Sequence, residues 1–203
     1  DVQARLRVAA ARADLRGFHP PGVFGPVAAA AASARMLGLD TQRTRMALGI
    51  AGSRTGGLFA NNGTMVKATH PGNAGRMGVE AALLAGRGFV SHESILEALH
   101  GYVEARFGDV FDWELLTRDL GRVYHLVEPG FNIKRYPAEI YMQWPIEAVS
   151  ALRQRHGFRP EDVETLEVEV PPVRDDLSRP RPRSGLDGKF SFEYCSAIAL
   201  TEE

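Results

Sequence analysis

Lysine is nearly absent from this chain. Of its 24 basic residues only Lys67, Lys134 and Lys189 are lysines, and the other 21 are arginines. Cysteine is scarcer still. A lone Cys195 excludes an intramolecular disulfide framework and the cysteine-rich zinc patterns, and it makes a reducing, cytoplasmic setting the default. Charge of either sign is not in excess, with a net of −1. No basic stripe is present, which argues against nucleic acid as a partner. Long apolar runs are missing too: none reaches the roughly 18 residues that a membrane span needs, and no signal peptide is visible. No period of 20 to 50 residues repeats. The chain has no G-x-S-x-G, no P-loop and no Rossmann fingerprint, since Gly49-Ile-Ala-Gly52 has the wrong spacing and no strand before it. No cluster has metal-ligand spacing. His92, Glu93 and His100 are expected on a surface helix and not at a metal.

An apolar fraction of 44% supports a packed core. The first hundred residues show apolar positions at steps of three and four through 2–15, 23–37, 42–53, 74–85 and 93–99, which predicts helices. Asp40 and Thr41 suit an N-cap, with Gly38 ending the helix before. Gly72 and Asn73 are expected to open the 74–85 helix after Pro71. From about residue 107 the character changes. Residues 113–120 suit a short helix. Tyr124–Val127 and Val163–Val170 are expected to be strands, the second alternating apolar and acidic residues. Residues 138–156 are expected to form a helix, in which Pro145 either makes a kink or marks the true start. Residues 174–188 suit a loop, and the chain turns helical again from Phe190. The predicted fold is a mainly α-helical domain with an inserted, smaller α+β lid: 1–105 helical, 106–188 lid, 189–203 a return to the helical body. Asp1–Ala10 begins inside a helical pattern without a start methionine and the last residues stop inside another, so the chain is expected to be an excerpt of something longer.

The three lysines fall in the segments that most resemble a site. Lysine is a compact point charge whose pKa moves on burial, and arginine is not. His19 sits in a Pro/Gly loop between helices, where it is either an acid/base group or a turn histidine. Lys67 and His70 precede the expected helix opening at Gly72 and Asn73. A helix N-terminus favours a carboxylate or phosphate, so these residues suit an anion site; solvated loop residues are the alternative. Lys134 and Arg135 are adjacent cations suited to a polyanionic substrate. Tyr194, early in the last helix, suits either core packing or catalysis, and Cys195 suits packing.

Taken in series, these stretches resemble the MmgE/PrpD family: Gly17–Pro26, Ala47–Ser53, Lys67–Gly78 with Ala81–Phe89, Lys134–Pro137 and Lys189–Tyr194. The family holds 2-methylcitrate dehydratase, cis-aconitate decarboxylase and related epimerases and isomerases. The resemblance implies a helical domain and an α+β lid with the active site between them, usually in a homodimer, acting on a small polycarboxylate without metal or organic cofactor. It implies His19, Lys67, Lys134 and Tyr194 as catalytic residues, with His70, Asn73 and Arg135 binding substrate. Three departures stand out. Pro21 replaces the family's frequent Thr or Ser two residues after the histidine. Glu139 replaces a histidine that decarboxylase-like members carry two residues after the Lys-Arg-x-Pro proline. The family's N-terminal region, which supplies an Asp and a His, is not in this chain. The expected activity is a cofactor-independent hydro-lyase of the 2-methylcitrate dehydratase kind, inactive as the 203-residue piece alone. Alternatives are a catalytically silent dimerisation or anion-binding module of the same fold, and a cis-aconitate decarboxylase or epimerase.

Overall fold

The computed structural model describes residues 1–172 and 179–201, and it is mainly helical. Nine α-helices occur among the described residues: α1 Val2–Ala9, α2 Pro20–Met36, α3 Thr41–Gly52, α4 Met65–Gly86, α5 Tyr102–Phe107, α6 Trp113–Thr117, α7 Gln143–His156, α8 Gly185–Gly188 and α9 Phe192–Thr201. They fall into two compact units. The first comprises residues 1–61 and 65–131, the second 62–64 and 132–203.

In the first unit, α2 packs on α1, α3 and α4. The seam between α2 and α4 is made of small residues. Ala30, Ala34, Ala81, Ala82 and Ala85 are buried there, and a Cβ added to Gly78 would sit 2.4 Å from the Ala29 methyl and 2.6 Å from the Ala30 nitrogen. So close an approach excludes any residue but glycine at 78. A second cluster joins α1, α2 and α5 around stacked rings, with Phe107 at 5.4 Å from both Phe24 and Phe111. The Tyr102 hydroxyl donates to the Val23 carbonyl at 2.9 Å in this cluster. Burial raises its pKa, so it stays a donor. Asp40 caps α3 by accepting from the Arg43 N–H at 2.8 Å, as its sequence position predicts.

Arg5 is buried to 1% exposure. It pairs with Asp1 at 2.6 Å and donates to the carbonyls of Arg118 at 2.7 Å and Val123 at 2.5 Å, among others. One planar fork thus ties α1 to the chain after α6. Arg5→Lys keeps the charge but cannot reach these acceptors together, so it is expected to lower stability by about 2 kcal/mol. A thermal melt within about 1 °C of the parent would show that the fork adds nothing.

Several expected elements differ from the structure. Helix α4 starts at Met65 and runs through Pro71, so Gly72 and Asn73 are interior positions and not a helix opening. An internal proline forgoes one hydrogen bond and costs about 3 kcal/mol; the buried small face beyond it, from Ala74 to Ala85, packs on α2 and keeps the helix continuous. Residues 93–99 are turns and not a helix, so His92, Glu93 and His100 lie on no helix.

The α+β lid needs correction as well. Tyr124–Val127 forms turns, and Val163–Val170 has no ladder partner among the described residues. Among the described residues the sole β-pairing is an isolated bridge between Phe18 and Leu58. Alternating polarity favours one wet and one dry face, but a strand also needs a neighbour to satisfy its backbone. Of the expected strand–helix–strand unit the helix remains, beginning at Gln143 with Pro145 in its first turn, where proline is tolerated. In the second unit α7 packs on α9, and Arg153 donates to the Ala199 carbonyl at 3.3 Å. The expected loop over 174–188 lies partly outside the described residues; its last part is α8.

Candidate active site

His19 is the N-cap of α2 and has extended backbone angles, φ −80° and ψ 123°. Pro20 and Pro21 follow in the first turn, where a missing N–H costs nothing and the fixed φ suits a helix. The His19 side chain makes no capping bond, so its ring is turned to another purpose. The His19 N–H donates to the Gly57 carbonyl at 2.8 Å, and the Gly56 N–H donates to the Gly22 carbonyl at 3.0 Å. These bonds lace the loop at 56–59 onto the start of α2.

Across this junction His19 meets His70 of α4. Their Nδ1 atoms are 2.9 Å apart, and both residues are 9% exposed. Phe59 stands edge-on to His19 at 5.7 Å. Gly57 lies against the other ring, where an added Cβ would be 3.1 Å from His70 Cγ. Lys67 lies one helical turn before His70 on α4, the spacing that puts two side chains on one face. Burial, then the neighbouring His70, then the Lys67 charge lower the His19 pKa from 6.5 to about 4. His19 is therefore neutral at pH 7. His70 also borders a small cavity of about 100 Å³ that Arg54, Asn73 and Met77 line with it.

The lowered His19 pKa predicts acid-sensitive stability. Above pH 6.5 neither the folded nor the unfolded state holds the extra proton, and the stability is complete. As pH falls from 6.5 toward 4 the unfolded chain takes up a proton that folded His19 refuses, so stability declines and then levels. We expect a loss of roughly 2 kcal/mol after allowing for solvent screening. Urea midpoints measured from pH 7 to 4 check it: His19→Gln should flatten the decline, and an equal decline in that variant would assign it to other groups.

Lys134, Arg135 and Tyr194 belong to the second unit. Lys134 is exposed and its Nζ donates to the Ala138 carbonyl at 3.1 Å. Arg135 already holds a carboxylate: Glu147 accepts from it at 2.9 and 3.1 Å. The Tyr136 hydroxyl donates to the same Glu147 at 2.8 Å, a bond that raises its pKa. Tyr194 is 45% exposed and borders a cavity of about 400 Å³ together with Tyr136, Lys189 and Cys195. Cys195 is buried, its pKa is raised by that burial, and it packs as expected.

Thus the structure joins His19, Lys67 and His70 in the first unit, with Asn73 exposed beside the small cavity. The Asn73 N–H, being inside α4, does not face an open helix end, so the anion site expected there loses its helix N-terminus. Glu139, at the place of the decarboxylase histidine, is engaged locally. Its carboxylate accepts from the Tyr141 N–H at 2.7 Å and caps a short 3-10 turn.

Sequence reasoning did not find the partners Phe59, Gly57 and Glu147. It also missed Ser191, whose hydroxyl accepts from the Tyr194 N–H at 3.0 Å and caps α9. Ser191 could have been found, because a serine three residues before an early helical position is an N-cap signal; the other partners carry no local signal.

Comparisons with known proteins follow the same two parts. The family model described as MmgE/PrpD N-terminal domain matches residues 1–114, and the MmgE/PrpD C-terminal domain matches residues 136–203. Human cis-aconitate decarboxylase is 31% identical over 212 residues, covering 100% of the chain and 43% of the relative. The mouse cis-aconitate decarboxylase is 31% identical over 191 residues, covering 91% and 38%. A cis-aconitate decarboxylase of Aspergillus terreus is 28% identical over 206 residues, covering 92% and 41%. The chain therefore spans about two fifths of the length of these curated relatives. Two domain matches in sequence order, the first over more than half of the chain, show that it belongs to the MmgE/PrpD family.

Proposed function

We propose that the whole protein is a cofactor-independent lyase of small di- or tricarboxylic acids. The observation that carries this is the buried His19–His70 pair with Lys67 one turn away. Loss of CO2 from a polycarboxylate, or of a proton next to a carboxylate, builds enolate-like negative charge. A partly buried ammonium stabilises that charge, and an imidazole moves the proton. In this proposal Lys67 meets the developing charge, His19 exchanges the proton, and Lys134 and Tyr194 serve the same reaction as the resemblance implies. His70, Asn73 and Arg135 are assigned to substrate binding on the same ground. A homodimer in the cytoplasm, and a division at 1–105, 106–188 and 189–203, are further proposals. Among the described residues no helix is long and apolar enough to cross a membrane.

Decarboxylation of cis-aconitate is the leading reaction, supported by what the relatives are named for. Dehydration of 2-methylcitrate is the second, favoured by Glu139, which supplies a capping carboxylate where decarboxylase-like members carry a histidine. Full-length protein incubated separately with cis-aconitate, 2-methylcitrate and citrate distinguishes them. Release of CO2 from cis-aconitate supports the first. Growth of conjugated double-bond absorbance from 2-methylcitrate supports the second. Binding without turnover of any of the three would leave a silent anion-binding module and end the lyase proposal.

A further inference from the structure

We propose that His19 and His70 form one acid–base unit, in which a single proton shared between their Nδ1 atoms holds the two outer nitrogens in opposite states. The argument begins with the inventory of a neutral imidazole, which has one N–H and one lone pair. At 2.9 Å the two Nδ1 atoms are within hydrogen-bond distance. Two lone pairs facing each other would repel, and so would two N–H groups. One Nδ1 therefore donates and the other accepts. The donor ring then carries a bare Nε2 and the acceptor ring an Nε2–H. Whichever way the bridge points, the neutral pair presents one base and one acid.

The geometry gives this pair a way to exchange those roles. Let His19 be the donor ring. A proton arriving at the His19 Nε2 lone pair makes that ring an imidazolium. The bridging proton then crosses: the His19 Nδ1–H bond breaks and the His70 Nδ1–H bond forms. The positive charge moves to His70, and no heavy atom need move. Loss of the proton from His70 Nε2 restores neutrality. His19 now holds an Nε2–H, so the group that accepted a proton has become the group that returns one. His70 lines the small cavity beside Arg54 and Asn73, at about 100 Å³ large enough for water, which gives the released proton a place to go.

The charged groups around the pair oppose a second proton. Lys67 is on α4, on the same side as His70. Arg54 borders the cavity, and its guanidinium is held 2.9 Å from Glu80 of α4. A doubly protonated pair would also set two N–H groups against each other. The unit therefore takes up one proton where two independent histidines would take up two. His70 is in this account a positioning residue and relay for His19, beyond the substrate-binding role that the resemblance implies. Its use in turnover rests on the lyase proposal, whereas its tautomers and its proton count do not.

The test uses full-length protein labelled with 15N at the histidine rings, without substrate. In the pH 7.5 spectrum one ring of the pair should be the Nδ1–H tautomer and the other the Nε2–H tautomer. Between pH 7.5 and 4.5 the pair should gain one proton. In His70→Asn, the His19 midpoint should rise above about 4, because the second of its three depressing influences is gone, while burial, the largest, and Lys67 keep it below 6.5. With a substrate that turns over, the same variant should lose kcat far more than it raises KM, and its pH–rate profile should shift with the His19 midpoint. Two Nε2–H tautomers in the parent, uptake of two protons over that interval, or an unmoved His19 midpoint in His70→Asn would each overturn the acid–base unit. An intact pair in a protein that turns over none of the three acids overturns the lyase proposal alone.

Discussion

Lys67→Ala in the full-length protein is expected to lower kcat/KM by about 10²–10³-fold, or roughly 3–4 kcal/mol, the scale of removing one electrostatic stabiliser from a site. Lys67 is only partly exposed and near enough to lower the His19 pKa. Under the lyase proposal a cation so placed meets the charge that develops in the reaction, and this chain has no other lysine in its first unit. Lys67→Arg is expected to recover only part of the rate, since a planar fork does not replace a point charge in a fitted space. Arg43, an exposed cation on α3, is the control, and its alanine variant should stay within about 0.5 kcal/mol of the parent. Steady-state kinetics on whichever acid turns over decides the matter. Equal kcat/KM for the Lys67→Ala and Arg43→Ala proteins would return Lys67 to a solvated helix position.

Gly22→Ala is expected to be the most damaging single methyl in the first unit. An alanine Cβ at this place would lie 1.9 Å from the Gly56 carbonyl oxygen. The obstacle is backbone, so no rotamer change relieves it. The 56–57 segment must move, and with it go the Gly56-to-Gly22 and His19-to-Gly57 backbone bonds. Overpacking plus two strained hydrogen bonds sum to about 3 kcal/mol or more. Gly72→Ala is the opposite case. Its Cβ would meet nothing within 4 Å inside α4, so it should stabilise by roughly 0.5–1 kcal/mol. Urea unfolding of the two variants should move the midpoint in opposite directions. A Gly22→Ala protein as stable as the parent would mean that the loop at 56–57 yields freely, and that it does not hold His19 in place.

Local chemistry was the readable part of this chain. Asp40 before Thr41 and the glycine at 38 each act within a few residues, and the structure puts helix ends there, whereas the paired prolines after His19, expected in a loop ahead of a helix at 23, open α2 themselves. What sequence could not supply was anything settled at a distance. Pro71 with Gly72 and Asn73 reads as a break, yet contacts with α2 carry α4 through it; tertiary packing overrode local preference. Val163–Val170 shows the right period for a strand, but periodicity reports a half-wet surface and is silent on whether a second strand lies alongside. The candidate site divides in the same way. His19 and Lys67 stood out by residue type and setting. The pairing of His19 with His70 spans 51 positions and has no spacing rule behind it. Arg135 looked like an open clamp because nothing in the sequence announces that Glu147 fills it.

The alanine and glycine seam between α2 and α4 has a consequence for how firmly the two imidazoles are held. His19 stands at the head of one helix and His70 within the other, so their separation is inherited from the distance between helix axes. Alanine and glycine have no side-chain rotamers to lose, so this interface is ordered without the entropy cost that leucine or methionine would bring. They also have no rotamers to change. An interface of larger side chains can absorb a small shift by repacking, as a cushion does, but backbone set against methyl groups has no such compliance. The distance that decides whether a proton can be shared is therefore set by rigid spacers, each one carbon thick, and it should vary little with temperature until the helices themselves separate.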